Sequence, residues 1–116
     1  MDLMKQFDQT LITIDEKGFY DLLDQAAFQA IVVFWVANSA HGLFQGEVIV
    51  KVLEKFREKI EFYQLPIVFN SRKKFIFIQQ LPCIVFIKSG VIQDILNGIQ
   101  TETKILDKIN ELGFLG

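Results

Sequence analysis

Three features of the sequence predict an α/β fold in which a mixed β-sheet is covered by helices on both faces. Extended and helical patterns alternate along the first half of the chain. Ala30 to Val36 is a continuous apolar run of strand length, the mark of a strand buried on both faces. Towards the C-terminus, the runs Ile84–Ile87 and Val91–Leu96 are joined by Lys88-Ser89-Gly90 at the spacing of an antiparallel hairpin.

The elements follow in order. Residues 1–10 are of mixed polarity and are expected to form a loose lead-in. Leu11 to Ile14 is rich in β-branched residues and reads as a short strand. Asp15 is placed to cap a helix over Glu16 to Ala27, whose apolar positions Phe19, Leu22, Leu23 and Ala26 recur at helical spacing. The strand Ala30–Val36 then leads into a short polar loop, residues 38–42. Beyond it, Ile49, Leu53, Phe56 and Ile60 line one face of a second helix, and Lys51, Glu54, Lys55, Arg57 and Glu58 supply its solvated side. Glu61 to Phe69 reads as a strand that Pro66 ends or bulges near Leu65, because proline cannot donate to a ladder. A short helix is assigned to residues 72–79 after the polar break Asn70 to Lys74. After the hairpin and the break Asn97-Gly98, Thr101 or Thr103 caps a last helix. Its inner face is Ile105, Leu106, Ile109 and Leu112, and Gly113 ends it.

Composition narrows the function. A chain of 116 residues, just over half of them hydrophobic, is expected to be one domain over 1–116 with a core of its own. A net charge of −2 with mixed signs gives no basic patch for nucleic acid. One cysteine makes no internal disulfide, and one Cys with one His assembles no metal site without several carboxylates. No secretory signal is read at the N-terminus. The most apolar stretch, Ala26–Ala37, falls short of the roughly 20 residues of a membrane span. A cytoplasmic protein without a cofactor is the resulting expectation.

The local sequence adds a resemblance. Phe34-Trp35 stands where thioredoxins carry Phe-Trp at the end of the central strand. Leu81-Pro82-Cys83 stands where they carry Ile-Pro-Thr, whose proline is cis, and Lys88-Ser89-Gly90 looks like their Lys-Asn-Gly turn. Gly98 matches the glycine after the last strand, and no gap is needed from Pro82 through Gly98. Over residues 11–113 the chain resembles the thioredoxin-like superfamily. The resemblance implies a central mixed sheet of four to five strands flanked by helices on both faces.

The departures from the family bear on chemistry. Counted from Phe34-Trp35, the family's Cys-Gly-Pro-Cys motif falls on Ser39-Ala40-His41-Gly42, and its buried aspartate falls on Val33. Disulfide exchange needs a thiolate of lowered pKa and a second thiol to resolve the mixed disulfide. Serine and glycine supply neither, so dithiol oxidoreductase activity is not expected. Cys83 is the remaining thiol. It is either a small buried residue at the start of a strand or the site of monothiol redox or thiol-trapping chemistry, its pKa lowered by His41. A Ser39–His41 nucleophile and base has no orienting acid, and His41 reads better as a solvated loop residue.

Pro82 contributes through the backbone. In the family, the cis proline exposes the main chain of the preceding residue to an extended peptide, which here is Leu81. The implied groove has Leu81, Pro82 and Cys83 as one wall, and Trp35, Asn38, Ser39, Ala40, His41 and Gly42 as the other. One branch of the superfamily is similar in more detail. Cysteine-free thioredoxin-like accessory proteins of nickel–iron hydrogenase assembly are thought to bind the twin-arginine signal peptide of the small subunit. They share a Pro…Leu-Asn-Gly-Ile pattern similar to Pro82 and Leu96-Asn97-Gly98-Ile99. A basic signal peptide favours an acidic groove, for which Glu47 and Asp94 are the nearest candidates. The expected function is thus a redox-inactive module or assembly chaperone that binds a protein or an extended peptide. The alternatives are monothiol chemistry at Cys83 and a structural subunit that dimerises through exposed phenylalanines.

Overall fold

The computed structural model describes residues 11–25, 29–36, 39–67 and 77–114. Their order is β1 (Ile12–Thr13), α1 (Glu16–Asp24), β2 (Gln29–Val36), α2 (Ala40–Phe56), β3 (Glu61–Ile67), β4 (Cys83–Lys88), β5 (Val91–Asn97) and α3 (Glu102–Glu111). The strands form one mixed sheet in the order β1-β3-β2-β4-β5. β1, β3 and β2 run parallel, and β4 and β5 are antiparallel to their neighbours. The mixed sheet with helices, expected from the sequence, is what the chain adopts.

β2 lies at the centre because every residue from Ala30 to Trp35 is buried, so neither face could meet water at acceptable cost. Its side chains alternate. Ile31, Val33 and Trp35 join Ile49, Val52 and Leu53 of α2 and Ile105 and Ile109 of α3 on one face. Ala30, Val32 and Phe34 join Phe19 and Leu22 of α1 on the other. There Phe34 meets the Phe19 and Phe77 rings edge-on at centroid distances of 5.1 and 5.7 Å, each such pair adding about 0.5–1.5 kcal/mol beyond area burial.

Several boundaries differ from those read in the sequence. α1 is capped as expected, Asp15 accepting from the Gly18 N–H at 2.8 Å, but it ends at Asp24. Residues 26–28 lie outside the described residues. α2 starts at Ala40, so three residues assigned to the loop form its first turn, and it ends at Phe56, short of Ile60. Pro66 does not end β3. The ladder runs through it to Ile67, with Trp35 opposite Pro66. The reason is parity. The Gln64 carbonyl accepts from Ile14 N–H, so Gln64 and Pro66 present their backbone polar groups to the β1 side. Past Thr13 the chain has left the sheet for the α1 cap, so Pro66 withholds no donor from β2. Of the short helix assigned to 72–79, residues 72–76 lie outside the described residues, and 77–79 are a turn and irregular chain.

The β4–β5 hairpin turns through Ser89 and Gly90, both with positive φ (55° and 76°), as a two-residue turn of matching twist requires. A Cβ on Gly90 would lie 2.6 Å from the Leu23 carbonyl oxygen, so the tip of the hairpin abuts the end of α1. Thr101 is the residue that caps α3, accepting from Lys104 N–H at 3.1 Å.

Candidate functional site

The C-terminal end of β2 delivers the chain to the N-terminus of α2. Ser39 donates its N–H to the Val36 carbonyl at 3.1 Å, and its hydroxyl caps the helix by accepting from Gly42 N–H at 3.0 Å. The Ser39 hydroxyl thus acts as a helix cap. Gly42 is buried against the indole below it. A Cβ there would lie 2.3 Å from Trp35 Cε3 and 2.7 Å from Ser39 Oγ, so only glycine allows this approach. Trp35 is itself buried in the core between the sheet and α2. Ala40 and His41 are exposed, and Ser39 is half-buried. Val33 is buried among apolar side chains on the same face as Trp35. Asn38 lies outside the described residues.

Leu81 and Pro82, expected to form the other wall of the implied groove, are joined by a cis peptide bond. Leu81 is half-buried and Pro82 buried, and the Pro82 carbonyl accepts from Gly98 N–H at 2.8 Å. Cys83 opens β4 with Phe34 and Asn97 as its cross-strand neighbours. Its side chain is 0% exposed, within the α1-side cluster and on the opposite face of the sheet from Trp35. Burial pushes its thiol up to about 12.

The two acidic candidates, Asp94 and Glu47, lie on β5 and α2. Asp94 bonds Lys108 of α3 at 2.6 Å and the Ile95 N–H at 2.8 Å. The hydrogen bond from Lys108 holds its carboxyl below the usual range. Glu47 is exposed on α2. Among the described residues, no group of three or more His, Cys, Asp or Glu side chains is placed to hold a metal. No helix among them is long and apolar enough to cross a membrane.

Side-chain hydrogen bonds from two residues outside the expected site, Gln45 and Asn97, join α2 and residues 79–80 to the 97–100 loop. Gln45 on α2, 0% exposed, donates from Nε2 to the Gln100 carbonyl at 3.0 Å and accepts the Gln100 N–H at 2.6 Å. Asn97 Oδ1 accepts from the N–H groups of Gln79 and Gln80 at 3.0 and 3.2 Å. The available hint was the position of Asn97 in the Leu-Asn-Gly-Ile segment, but its partners lie 17 and 18 residues away. Beside these bonds, Phe44 and Ile99 are 52% and 41% exposed.

Neither a protein-family model nor a curated protein matches this chain. Solved structures do. Mitochondrial thioredoxin 3 from Saccharomyces cerevisiae, in its oxidised form, superposes with a TM-score of 0.73 at 12% identity, covering 95% of this chain and 99% of that one. Thioredoxin O2 from Arabidopsis thaliana, in its oxidised state, gives 0.70 at 18% identity, covering 89% and 94%. A chain from a structure of the thiol resolving mechanism in yeast mitochondrial 1-Cys peroxiredoxin gives 0.73 at 13%, covering 89% and 96%. With the sheet order and helix placement above, these likenesses identify the fold of this chain as thioredoxin-like.

Proposed function

We propose that this protein is a redox-inactive thioredoxin-like module that holds an extended peptide or partner segment between residues 79–82 and the N-terminal end of α2, as an assembly chaperone. The observation that carries the reading is the burial of the lone thiol on the α1 side of the sheet, together with a serine cap at the N-terminus of α2. With a pKa of about 12, Cys83 is thiolate in about one molecule in 10⁵ at pH 7, and its sulfur is buried as well. These facts also oppose monothiol chemistry. What remains suits binding. A main chain beside Pro82 offers backbone pairing, and exposed Phe44 and Ile99 offer apolar contact. Among the described phenylalanines only Phe44 is exposed, which gives dimerisation little support.

The narrower version has the twin-arginine signal peptide of a hydrogenase small subunit as the ligand. The similarity of Pro82 and Leu96–Ile99 to the accessory proteins supports it. With Asp94 committed to Lys108, such a peptide would be held through its apolar segment more than through its arginines. Two measurements test the reading. A reductase assay on a disulfide-containing protein should give no turnover; clear turnover would overturn it. Calorimetry with the synthetic signal peptide should show binding that Ala40→Trp abolishes, and failure of the wild-type protein to bind would remove the narrower version.

A further inference from the structure

The hydrogen bonds around residues 97–100 form a connected set. Gln45 engages both backbone groups of Gln100 with both ends of one buried amide. The Gln100 side chain turns back, its Nε2 donating to the carbonyls of Asn97 and Gly98 at 3.1 and 3.2 Å. Asn97 Oδ1 receives the N–H groups of Gln79 and Gln80, and Gly98 N–H is given to the Pro82 carbonyl. These hydrogen bonds join α2 and residues 79–82 to the same four consecutive residues, 97–100. Asn97 serves Gln79 and Gln80 as an acceptor only, a role a carboxylate also fills.

The geometry points to Asn97 and Gln45 as positioning residues. Through the 97–100 loop they fasten segment 79–82 to α2, so that the two walls of the proposed groove keep a fixed spacing before any peptide arrives. This rests on the binding reading for its purpose, but the fastening itself is measurable without a ligand. A pre-set spacing spares the ordering cost that a loose wall would charge against affinity.

The test uses residue-resolved amide hydrogen exchange on the full chain at pH 7, comparing wild type with Asn97→Asp, Asn97→Leu and Gln45→Leu. Asn97→Leu should speed exchange at Gln79 and Gln80 at least tenfold while the β2 amides keep their protection. Asn97→Asp should stay within threefold of wild type at both. Gln45→Leu should free the Gln100 amide by at least tenfold and, through the loop, raise exchange at Gly98. The assignment is overturned if Gln79 and Gln80 exchange at wild-type rates in Asn97→Leu, or if aspartate fails to rescue. It is equally overturned if β2 loses protection in step with residues 79–80, since the bonds would then serve global stability alone. Calorimetry of the same four proteins with the synthetic twin-arginine signal peptide keeps the two ideas apart. Absence of wild-type binding would count against that ligand and leave the exchange result standing. Equal affinity in wild type and Asn97→Leu would overturn the positioning role.

Discussion

Single residues decide what chemistry the helix N-terminus retains. Gly42 is there because the indole of Trp35 occupies the space a side chain would need. Gly42→Ala should therefore cost about 1–3 kcal/mol, the usual range for overpacking, read as a lower denaturant midpoint with an unchanged slope. Cys83 carries a pH signature. Folded, it keeps its proton until about pH 12, whereas its ordinary value is 9.0. Between these values the unfolded chain has lost a proton that the folded chain retains. This contribution to stability is therefore complete below pH 9 and falls as pH rises towards 12. Tyr63 is also raised, first by burial and then by its bond to Glu61, so the Cys83 share is isolated as the difference between the wild-type and Cys83→Ala profiles. Alkylation of Cys83 at pH 8 should proceed at the rate of unfolding.

At the scale of elements, the local periodicities carried most of the information. The run through β2, the hairpin spacing and the apolar stripe of α3 were all legible, because each depends on residues within a few positions of one another. Pro66 departs from the sequence expectation because its effect depends on which neighbour its nitrogen faces, and that depends on where β1 stops. Leu65 and Pro66 should accordingly differ sharply. Pro66→Val should change stability by no more than about 0.5 kcal/mol, as at an uninvolved surface site. Leu65→Pro, one residue earlier and facing β2, should cost about 3 kcal/mol or more by removing a ladder donor. Thermal unfolding of the two variants checks both. The start of α2 was placed too late for a related reason. Ala40, His41 and Gly42 have no apolar stripe of their own, and the Ser39 cap that makes them helical is a single hydrogen bond.

For the whole molecule, the sheet order and its two helical faces are foreseeable from element order, whereas the hydrogen bonds that join α2 and residues 79–80 to the 97–100 loop are not. Gln45 and Gln100 are 55 residues apart and meet only because α2 and the end of β5 are brought together by packing. A glutamine in a solvated-looking helix pattern gives no hint that both ends of its amide are buried and used. The exposed side chains beside that fastening allow a test of the binding surface that leaves the core alone. Phe44→Ser and Ile99→Ser should each weaken peptide binding about tenfold, since losing part of an apolar contact is worth about 1–2 kcal/mol. Their effect on stability should stay within about 0.5 kcal/mol. Calorimetry and denaturant titration on the same samples separate the two effects.

The abutment of Gly90 on the Leu23 carbonyl has a practical side for anyone reshaping this protein. A two-residue turn between antiparallel strands is the usual place to insert an epitope, split a chain for complementation or relocate its ends. Here Ser89 is exposed but Gly90 lies against the end of α1, so residues inserted at Gly90 would push on the Leu23 carbonyl. The exposed Arg57-Glu58-Lys59 corner between α2 and β3 is the better graft point. It carries charged side chains and lies away from the candidate groove.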